Sequence, residues 1–300
     1  MAGKTSQEKK KKEYFPFIES QSYLTPNGTA YLKNPGIALI SKPEVDLSGI
    51  KSILAGFPND YHFLKYLKDP KKLYSAELLT KVAGQTCYVS FGPGRTWNKD
   101  AQKYFDNIIF SGHGSVLEHA NFSLLLWGVS RSFTHELVRH RAGCAYSQVS
   151  QRYVSGRVLR FVERQEYQSD KTLHKLFEER IDRAYREYSQ MADYLFQKQG
   201  KGEKILSGEV KTDLRKKVQQ VARSLLPNET EAPIVVTANV RAWRHMINMR
   251  ASNHSEIEIR KVFFNIYKLL KKVSPMLFSD FKAVHLPDGT SAVTTEYPKV

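Results

Sequence analysis

The pattern of apolar and polar residues divides the chain into helical and strand-like stretches. Apolar positions that recur every three or four residues predict helices over residues 73–82, 97–111, 173–198, 212–226, 240–250 and 255–273. Apolar and β-branched runs predict buried strands over residues 121–129 and 234–238. Ser130 or Ser132 can cap a further helix that reaches about residue 141, and residues 148–154 are predicted to be extended. This order predicts a mixed α/β fold in which helix predominates, without an internal repeat.

Changes in composition divide the chain into four parts. Residues 1–13 hold Lys4 and the lysine run 9–12 without hydrophobic periodicity, which predicts a basic disordered tail. Residues 14–73 carry turn signals between short hydrophobic patches and form an N-terminal extension to which the sequence assigns no role. The main domain is predicted over residues 74–285, followed by a C-terminal tail over residues 286–300.

Length and composition limit the classes of protein to be considered. With 300 residues, the chain can bury a sizeable core without metals or disulfides. Hydrophobic residues make up 41% of it, and no apolar run is long enough to span a bilayer. Two cysteines, Cys87 and Cys144, and the lack of a secretory signal predict a reducing, cytoplasmic setting. The formal net charge of +16 indicates anionic partners, which include nucleic acids, nucleotides and folate polyglutamates.

The densest polar cluster spans residues 136–153. It includes three arginines within fourteen residues, Arg139, Arg141 and Arg152. Guanidinium groups bind phosphates through paired hydrogen bonds, and a helix end followed by a loop can direct several donors at one charged ligand. The Ser and Gln side chains between the arginines suit a heterocycle. The cluster therefore favours a nucleotide site, with a solvated basic helix end as the alternative.

A second cluster covers residues 239–250, directly after a predicted strand. At about 100° per residue, Arg241, His245 and Asn248 share one helix face, whereas Met246 and Met249 lie on another. The polar face mixes Asn, Arg and His instead of the Glu and Lys that are typical of a plain exposed surface. This composition favours ligand binding, with a solvated helix face as the alternative.

A third patch lies in the turn over residues 111–119, where backbone donors and short side chains such as Ser115 can approach a ligand. His113 and His119 in this patch, taken alone, are more typical of structural histidines.

Several familiar kinds of site are absent from the sequence. His135 and His140 would point about 140° apart around a helix, which is too far for both to bind one metal ion. No glycine-rich dinucleotide fingerprint and no phosphate loop occurs. Neither Cys144 nor Ser150 has the neighbours that would activate a covalent nucleophile.

Four motifs follow one another along the chain. Residues 139–141 are Arg-His-Arg, and a loop separates them from Ser-Gln-Arg-Tyr at residues 150–153. The others are Gly112-His113 with Glu118-His119, Ala222-Arg223-Ser-Leu-Leu-Pro227, and Asn239-x-Arg241 through Arg250 to His254. Together they resemble the flavin-dependent thymidylate synthases, whose hallmark is Arg-His-Arg, about seven residues, and then Ser shortly before Arg-Tyr. The resemblance covers residues 82–281, and the loop before Ser150 is one residue longer than usual.

The resemblance implies an α/β fold unrelated to Rossmann domains and a homotetramer that holds FAD between its subunits. It also implies that dUMP is methylated to dTMP, with methylenetetrahydrofolate as carbon donor and NADPH as reductant. The expected enzyme is cytoplasmic and binds no metal. A basic nucleic-acid-binding protein is the alternative that the net charge suggests. The arginines argue against it, because they alternate with Asn, Gln and Ser in compact turns instead of lining one long basic helix.

Residue roles follow from the same resemblance. Arg250 would act catalytically by stabilising negative charge that develops on the uracil ring. Ser150 is the second residue implied for catalysis; it would bind dUMP and is not an obligatory nucleophile. The residues implied for FAD are Ser115, Arg139, His140, Arg141, Gln148, Asn239, Arg241 and His245. The residues implied for dUMP are Glu136, Arg139, Gln148, Ser150, Arg152, Arg223 and Arg250.

Overall fold

The computed structural model describes residues 15–153, 158–200 and 211–300. The tail predicted over residues 1–13 lies outside this part of the chain. The strands are β1 Phe17–Ile18, β2 Ser22–Leu24, β3 Ala30–Leu32, β4 Gly36–Ser41, β5 Asn121–Trp127, β6 Cys144–Gln148, β7 Arg160–Val162, β8 Ile234–Asn239, β9 Lys282–His285 and β10 Ser291–Thr294. The helices are α1 Ile50–Ala55, α2 Ser75–Cys87, α3 Ala101–Phe110, α4 Arg131–Leu137, α5 Gln165–Gln168, α6 Lys171–Gly200, α7 Lys211–Ala222, α8 Val240–Arg250 and α9 Ile257–Val273. The predicted mixed fold with predominant helix is confirmed.

A five-stranded antiparallel sheet forms the centre of the fold, in the order β1-β4-β5-β8-β6. Alternate residues of β5 and β8 point to one face, so Phe122, Leu124, Val236 and Ala238 are all buried there. Helices α3, α8 and α9 cover this face, and Trp243 of α8 lies fully buried in the core. The opposite face of β5 and β8 is only partly buried, at positions such as those of residues 125, 127 and 235.

The segment before residue 74 takes part in two sheets. Strand β4 pairs with β5, and Ile37 and Leu39 of β4 are buried in the main core. Strands β2 and β3 form a second sheet with β7, where β3 and β7 run parallel. The long helix α6 packs on this second sheet through Phe177 and Ile181. The extension to which the sequence assigned no role therefore supplies strands to the central sheet.

The structure corrects two boundaries in the region of the densest polar cluster. Helix α4 ends at Leu137 instead of residue 141, because the amides of Arg139 and His140 bond three residues back, to Glu136 and Leu137, in a tight turn. The extended segment was predicted over residues 148–154, but strand β6 spans Cys144–Gln148 and residues 151–153 form a turn. Pairing with β8 supplies the hydrogen bonds of β6, a long-range effect that no local pattern signals.

The remaining elements lie close to their predicted positions. Helix α8 has the predicted bounds, whereas α2 continues five residues further, to Cys87. Helix α7 gives way to a 3₁₀ turn over Arg223–Leu225 before Pro227. In the described part of the chain, no helix combines the length and the apolar character that crossing a membrane requires.

Candidate active site

The junction between β8 and α8 anchors the site. Asn239 caps α8, because its Oδ1 accepts a hydrogen bond from the backbone N–H of Ala242 at 2.9 Å. The backbone N–H of Asn239 bonds the carbonyl of Gly143 at 3.1 Å. Gly143 has a φ of +70°, and a Cβ there would lie 2.6 Å from the Asn239 side chain. Only glycine fits this position without strain, so the loop after Arg141 lies directly against the start of α8.

Arg250, at the end of α8, connects the first two polar clusters. Its Nε–H donates to Nε2 of His140 at 2.9 Å, and its Nη1 donates to Oε2 of Glu136 at 3.0 Å. The rings of His140 and His245 meet edge to face with centroids 5.8 Å apart. Four of the residues that the family resemblance implied therefore lie together.

His140 must be neutral in this arrangement, since its Nε2 accepts a hydrogen bond. Burial, as the largest cause, and the electrostatic influence of Arg250 and His245 together lower the pKa of His140 to about 4. The imidazole is thus a fixed acceptor at neutral pH. The Arg250 side chain is 21% exposed, so part of its guanidinium group is open to a ligand.

Arg241 brings the third patch to the same side of α8. Its Nη1 donates to Oε1 of Glu118 at 2.6 Å. A Cβ on Gly114 would lie 2.9 Å from the Arg241 Nε, so the patch has to approach α8 through a glycine. Ser115 lies exposed in the same 3₁₀ turn, Gly114–Glu118.

A cavity of about 330 Å³ opens at the start of α8. Its volume is at the lower end of ordinary small-molecule pockets. It is lined by Glu118, Ala142, Gly143, Asn239, Arg241, Ala242, His245, Pro298, Lys299 and Val300. Three of the residues that the resemblance implied for FAD thus line one cavity.

A second group of predicted site residues lies at and beyond the Gln148 end of β6. Gln148 is the last residue of that strand, and the Ser150 hydroxyl accepts the backbone N–H of Arg152 at 3.3 Å. The Nε of Arg152 is buried and has no hydrogen-bond partner among the described residues. Arg223 begins the 3₁₀ turn after α7 and is half-buried.

Strand β6 lies between the loop at Gly143 and the segment that holds Ser150 and Arg152. Its Cα register pairs Cys144 with Ala238 at one end and Gln148 with Ile234 at the other. At about 3.3 Å per residue, the four steps from Cys144 to Gln148 span roughly 13 Å. Over the described residues, no hydrogen bond or ion pair joins Ser150, Arg152 or Arg223 to Arg250. The side chains of Arg139 and Arg141 are exposed.

Similarity to known proteins identifies the family of this chain. The model of the family described as thymidylate synthase complementing protein matches residues 71–276. Proteins named flavin-dependent thymidylate synthase from Mycobacterium bovis and Mycobacterium tuberculosis are 41% identical to this chain over 218 residues, which cover 72% of this chain and 84% of each relative. The chain belongs to the flavin-dependent thymidylate synthase family.

One solved structure has a fold similar to that of this flavin-dependent thymidylate synthase family member. The UMP/dUMP methylase PolB from Streptomyces cacaoi, solved with 5-Br UMP bound, superposes with a TM-score of 0.55 and 16% identity. The match covers 82% of this chain and 95% of that chain. At that identity the likeness shows the shared fold.

Three features of the site in this family member were not predicted from the sequence. Glu118 was noted in the third patch, yet its ion pair with Arg241 was not expected. Tyr146 donates its hydroxyl to the backbone carbonyl of His140, and residues 298–300 line the cavity although they fall in the predicted C-terminal tail. The occurrence of Glu118, an acidic residue, within a basic cluster could have indicated its ion pair. No local sequence signal indicates the Tyr146 hydrogen bond or the position of residues 298–300.

Proposed function

We propose that this chain converts dUMP to dTMP in the cytoplasm, with FAD as cofactor, methylenetetrahydrofolate as carbon donor and NADPH as reductant. The observation that carries the proposal is the arrangement of Arg250 between Glu136 and a neutral His140. Arg250 donates its Nε–H to His140 and its Nη1–H to Glu136. Its third nitrogen, Nη2, has no hydrogen-bond partner among the described residues. A guanidinium group fixed in this way is suited to polarise a uracil ring.

The group around Arg152 is suited to bind the phosphate end of dUMP. The buried Nε of Arg152 has no partner in the described chain, and an unpaired buried donor is costly unless a ligand satisfies it. A nucleotide phosphate is an acceptor that guanidinium groups bind through short, charge-assisted hydrogen bonds. We therefore assign Arg152, Arg223, Ser150 and Gln148 to dUMP, with Arg139, Glu136 and Arg250 completing its site.

The residues of the cavity fit a flavin nucleotide. Glycines at positions 114 and 143 let backbone and side chains approach more closely than any Cβ would permit. Asn239, Arg241 and His245 present hydrogen-bonding groups to the cavity, and we assign them to FAD together with Ser115, Arg139, His140, Arg141 and Gln148. Bound FAD supplies the hydride chemistry that these side chains do not have. The role of the protein residues is to bind and orient the ligands and to hold His140 neutral.

We infer a homotetramer with shared sites, and the lack of contact between the two groups within one chain supports this inference. Among the described residues, no hydrogen bond or ion pair within one chain joins Ser150, Arg152 or Arg223 to Arg250. Residues from neighbouring chains would bring an Arg250 group next to an Arg152 group. The partly exposed face of the central sheet, where Trp127 and Val235 lie, offers an apolar surface for such contacts.

Two measurements test the proposal. The purified protein should be yellow, and mixing it with dUMP, methylenetetrahydrofolate and NADPH should form dTMP. Omitting each compound in turn identifies the carbon donor, and replacing NADPH by NADH identifies the reductant. A colourless protein that carries nucleic acid removable by salt would instead support the nucleic-acid-binding alternative.

A further inference from the structure

The turn over residues 138–143 carries the Arg-His-Arg motif on little local structure. Helix α4, which precedes it, has seven residues, and helices this short are marginal without outside contacts. Arg139 and Arg141 are exposed, so packing does little to hold the two guanidinium groups. The conformation of the turn therefore depends on the few groups that hold its backbone.

Tyr146 supplies one of these groups. Its hydroxyl donates to the carbonyl oxygen of His140 at 2.7 Å, and the carbonyl of Leu137 lies within 3.3 Å of the same oxygen. Leu137 is the last residue of α4, where carbonyls lack partners within the helix. A single side chain thus contacts both the end of α4 and the middle of the motif.

The sheet fixes where this hydroxyl lies. Tyr146 is paired with Val236 across the β6–β8 ladder, and its ring packs against the main core. The ring position is therefore set by the core, and the hydroxyl transmits that position to His140. His140 in turn accepts the hydrogen bond from Arg250.

We propose that Tyr146 is a positioning residue, which holds the Arg139–Arg141 turn in the conformation that binds the flavin. This role rests on the proposed function of the turn, and the hydroxyl itself need not contact FAD or dUMP. Without the hydroxyl, the turn would sample other conformations, and part of the flavin-binding free energy would be spent on ordering it. Loss of one such hydrogen bond should weaken FAD binding by about two- to tenfold.

The test compares Tyr146→Phe with Tyr188→Phe in the flavin-loaded enzyme. Tyr188 is the control: it is buried on α6, whereas Tyr146 is partly buried, and the Tyr188 hydroxyl has no hydrogen-bond partner among the described residues. The rate of FAD release after dilution and the dissociation constant of FAD are measured for both variants, with the melting temperature alongside. We expect weaker FAD binding in Tyr146→Phe and wild-type binding in Tyr188→Phe.

Turnover at saturating FAD separates positioning from other roles. Bound flavin restores the turn, so the kcat and the KM for dUMP of Tyr146→Phe should return to within about twofold of wild type. Wild-type FAD affinity in Tyr146→Phe, with or without a lower melting temperature, would overturn the proposal. A turnover that stays low at saturating FAD would also overturn it, because the hydroxyl would then act in the chemistry.

Hydrogen–deuterium exchange gives a readout that does not depend on affinity. Amides of residues 138–143 should exchange faster in Tyr146→Phe than in wild type, while those of α8 should not. Unchanged exchange in the turn would contradict the proposed role. If the wild-type enzyme itself binds no flavin, the proposed function fails instead, and exchange in the turn still tests the contact of Tyr146 with His140.

Discussion

His140 accepts a hydrogen bond from Arg250, and this contact makes folding sensitive to acid. Its pKa in the folded protein is lowered from 6.5 to about 4, mainly by burial. Between these two values the unfolded chain takes up a proton at this residue and the folded chain does not. The free energy of unfolding should therefore fall as the pH falls from about 6.5 towards 4.

Unfolding in urea between pH 7 and pH 4.5 measures this effect. His140→Gln keeps a hydrogen-bond acceptor but cannot be protonated, so its stability should depend less steeply on pH than that of wild type. His135→Gln, at an exposed position of α4, is the control and should show the wild-type dependence. An identical pH dependence in His140→Gln and wild type would show that His140 does not titrate in this way.

Arg223 and Arg250 should fail differently when each is replaced by alanine. Arg223 is assigned to the phosphate, which binds equally well in the ground and transition states, so Arg223→Ala should mainly raise the KM for dUMP. Arg250 is directed at the reacting ring, so Arg250→Ala should lower turnover by about two or more orders of magnitude. Steady-state kinetics separates the two effects, and reduction of FAD by NADPH without dUMP serves as the control that should survive both changes. A colourless Arg250→Ala protein, or a fall in turnover for Arg223→Ala with dUMP affinity untouched, would refute these roles.

Ser150 should prove to be a binding group. Its hydroxyl accepts the backbone N–H of Arg152, and among the described residues no side chain that could act as a base bonds it. Ser150→Ala should therefore weaken activity without abolishing it, as measured by the rate of dTMP formation. Complete loss of turnover with unchanged dUMP affinity would mean that the hydroxyl reacts.

At the scale of single elements, the start of α4 decides where Glu136 lies. The Ser130 Oγ accepts the backbone N–H of Phe133 at 3.1 Å and donates to Glu258 of α9 at 2.7 Å. The N–H of Ser130 also donates to Glu258 at 2.7 Å, so this residue ties α4 to α9.

Ser130→Ala should lower the free energy of unfolding by about 1–2 kcal/mol, because it removes both the cap and a hydrogen-bond partner of the half-buried Glu258 carboxylate. Ser132→Ala is the matched control: the Ser132 backbone N–H bonds Asn228, and that contact survives the change. Urea unfolding compares the two variants. Equal losses of stability in both would refute the assignment of Ser130 as the cap.

On the scale of the whole molecule, two parts of the N-terminal segment should differ in their roles: β4 should be needed for stability, and residues 1–12 should be dispensable for turnover. Ile37 of β4 is fully buried in the main core, so Ile37→Ala should cost about 2–5 kcal/mol of stability. Deleting residues 1–12 should leave turnover nearly unchanged, because every motif of the site begins after residue 82. Urea unfolding and dTMP formation check the two outcomes. Loss of FAD or of the oligomer in the deletion variant would assign a role to the lysine-rich residues.

The sequence by itself determined the elements whose signals are local. Helix α8 begins and ends where predicted, because apolar residues at helical spacing mark it directly after a strand. Strands β5 and β8 were predicted within two residues, because an apolar run marks β5 and β-branched residues mark β8. The motifs that resemble the family are also local, and the family they indicated is confirmed.

Only the tertiary structure decided how these elements meet. His140 and Arg250 are 110 residues apart in the sequence, and their hydrogen bond exists because α8 carries Arg250 back to the turn after α4. The same holds for β4 on β5, for β6 on β8 and for the Tyr146 hydroxyl on His140. Such contacts depend on sheet register and on packing between distant segments, which no short pattern encodes. The carbonyl of Leu137, the last residue of α4, also accepts the Tyr146 hydroxyl, and among the described strands β6 pairs only with β8.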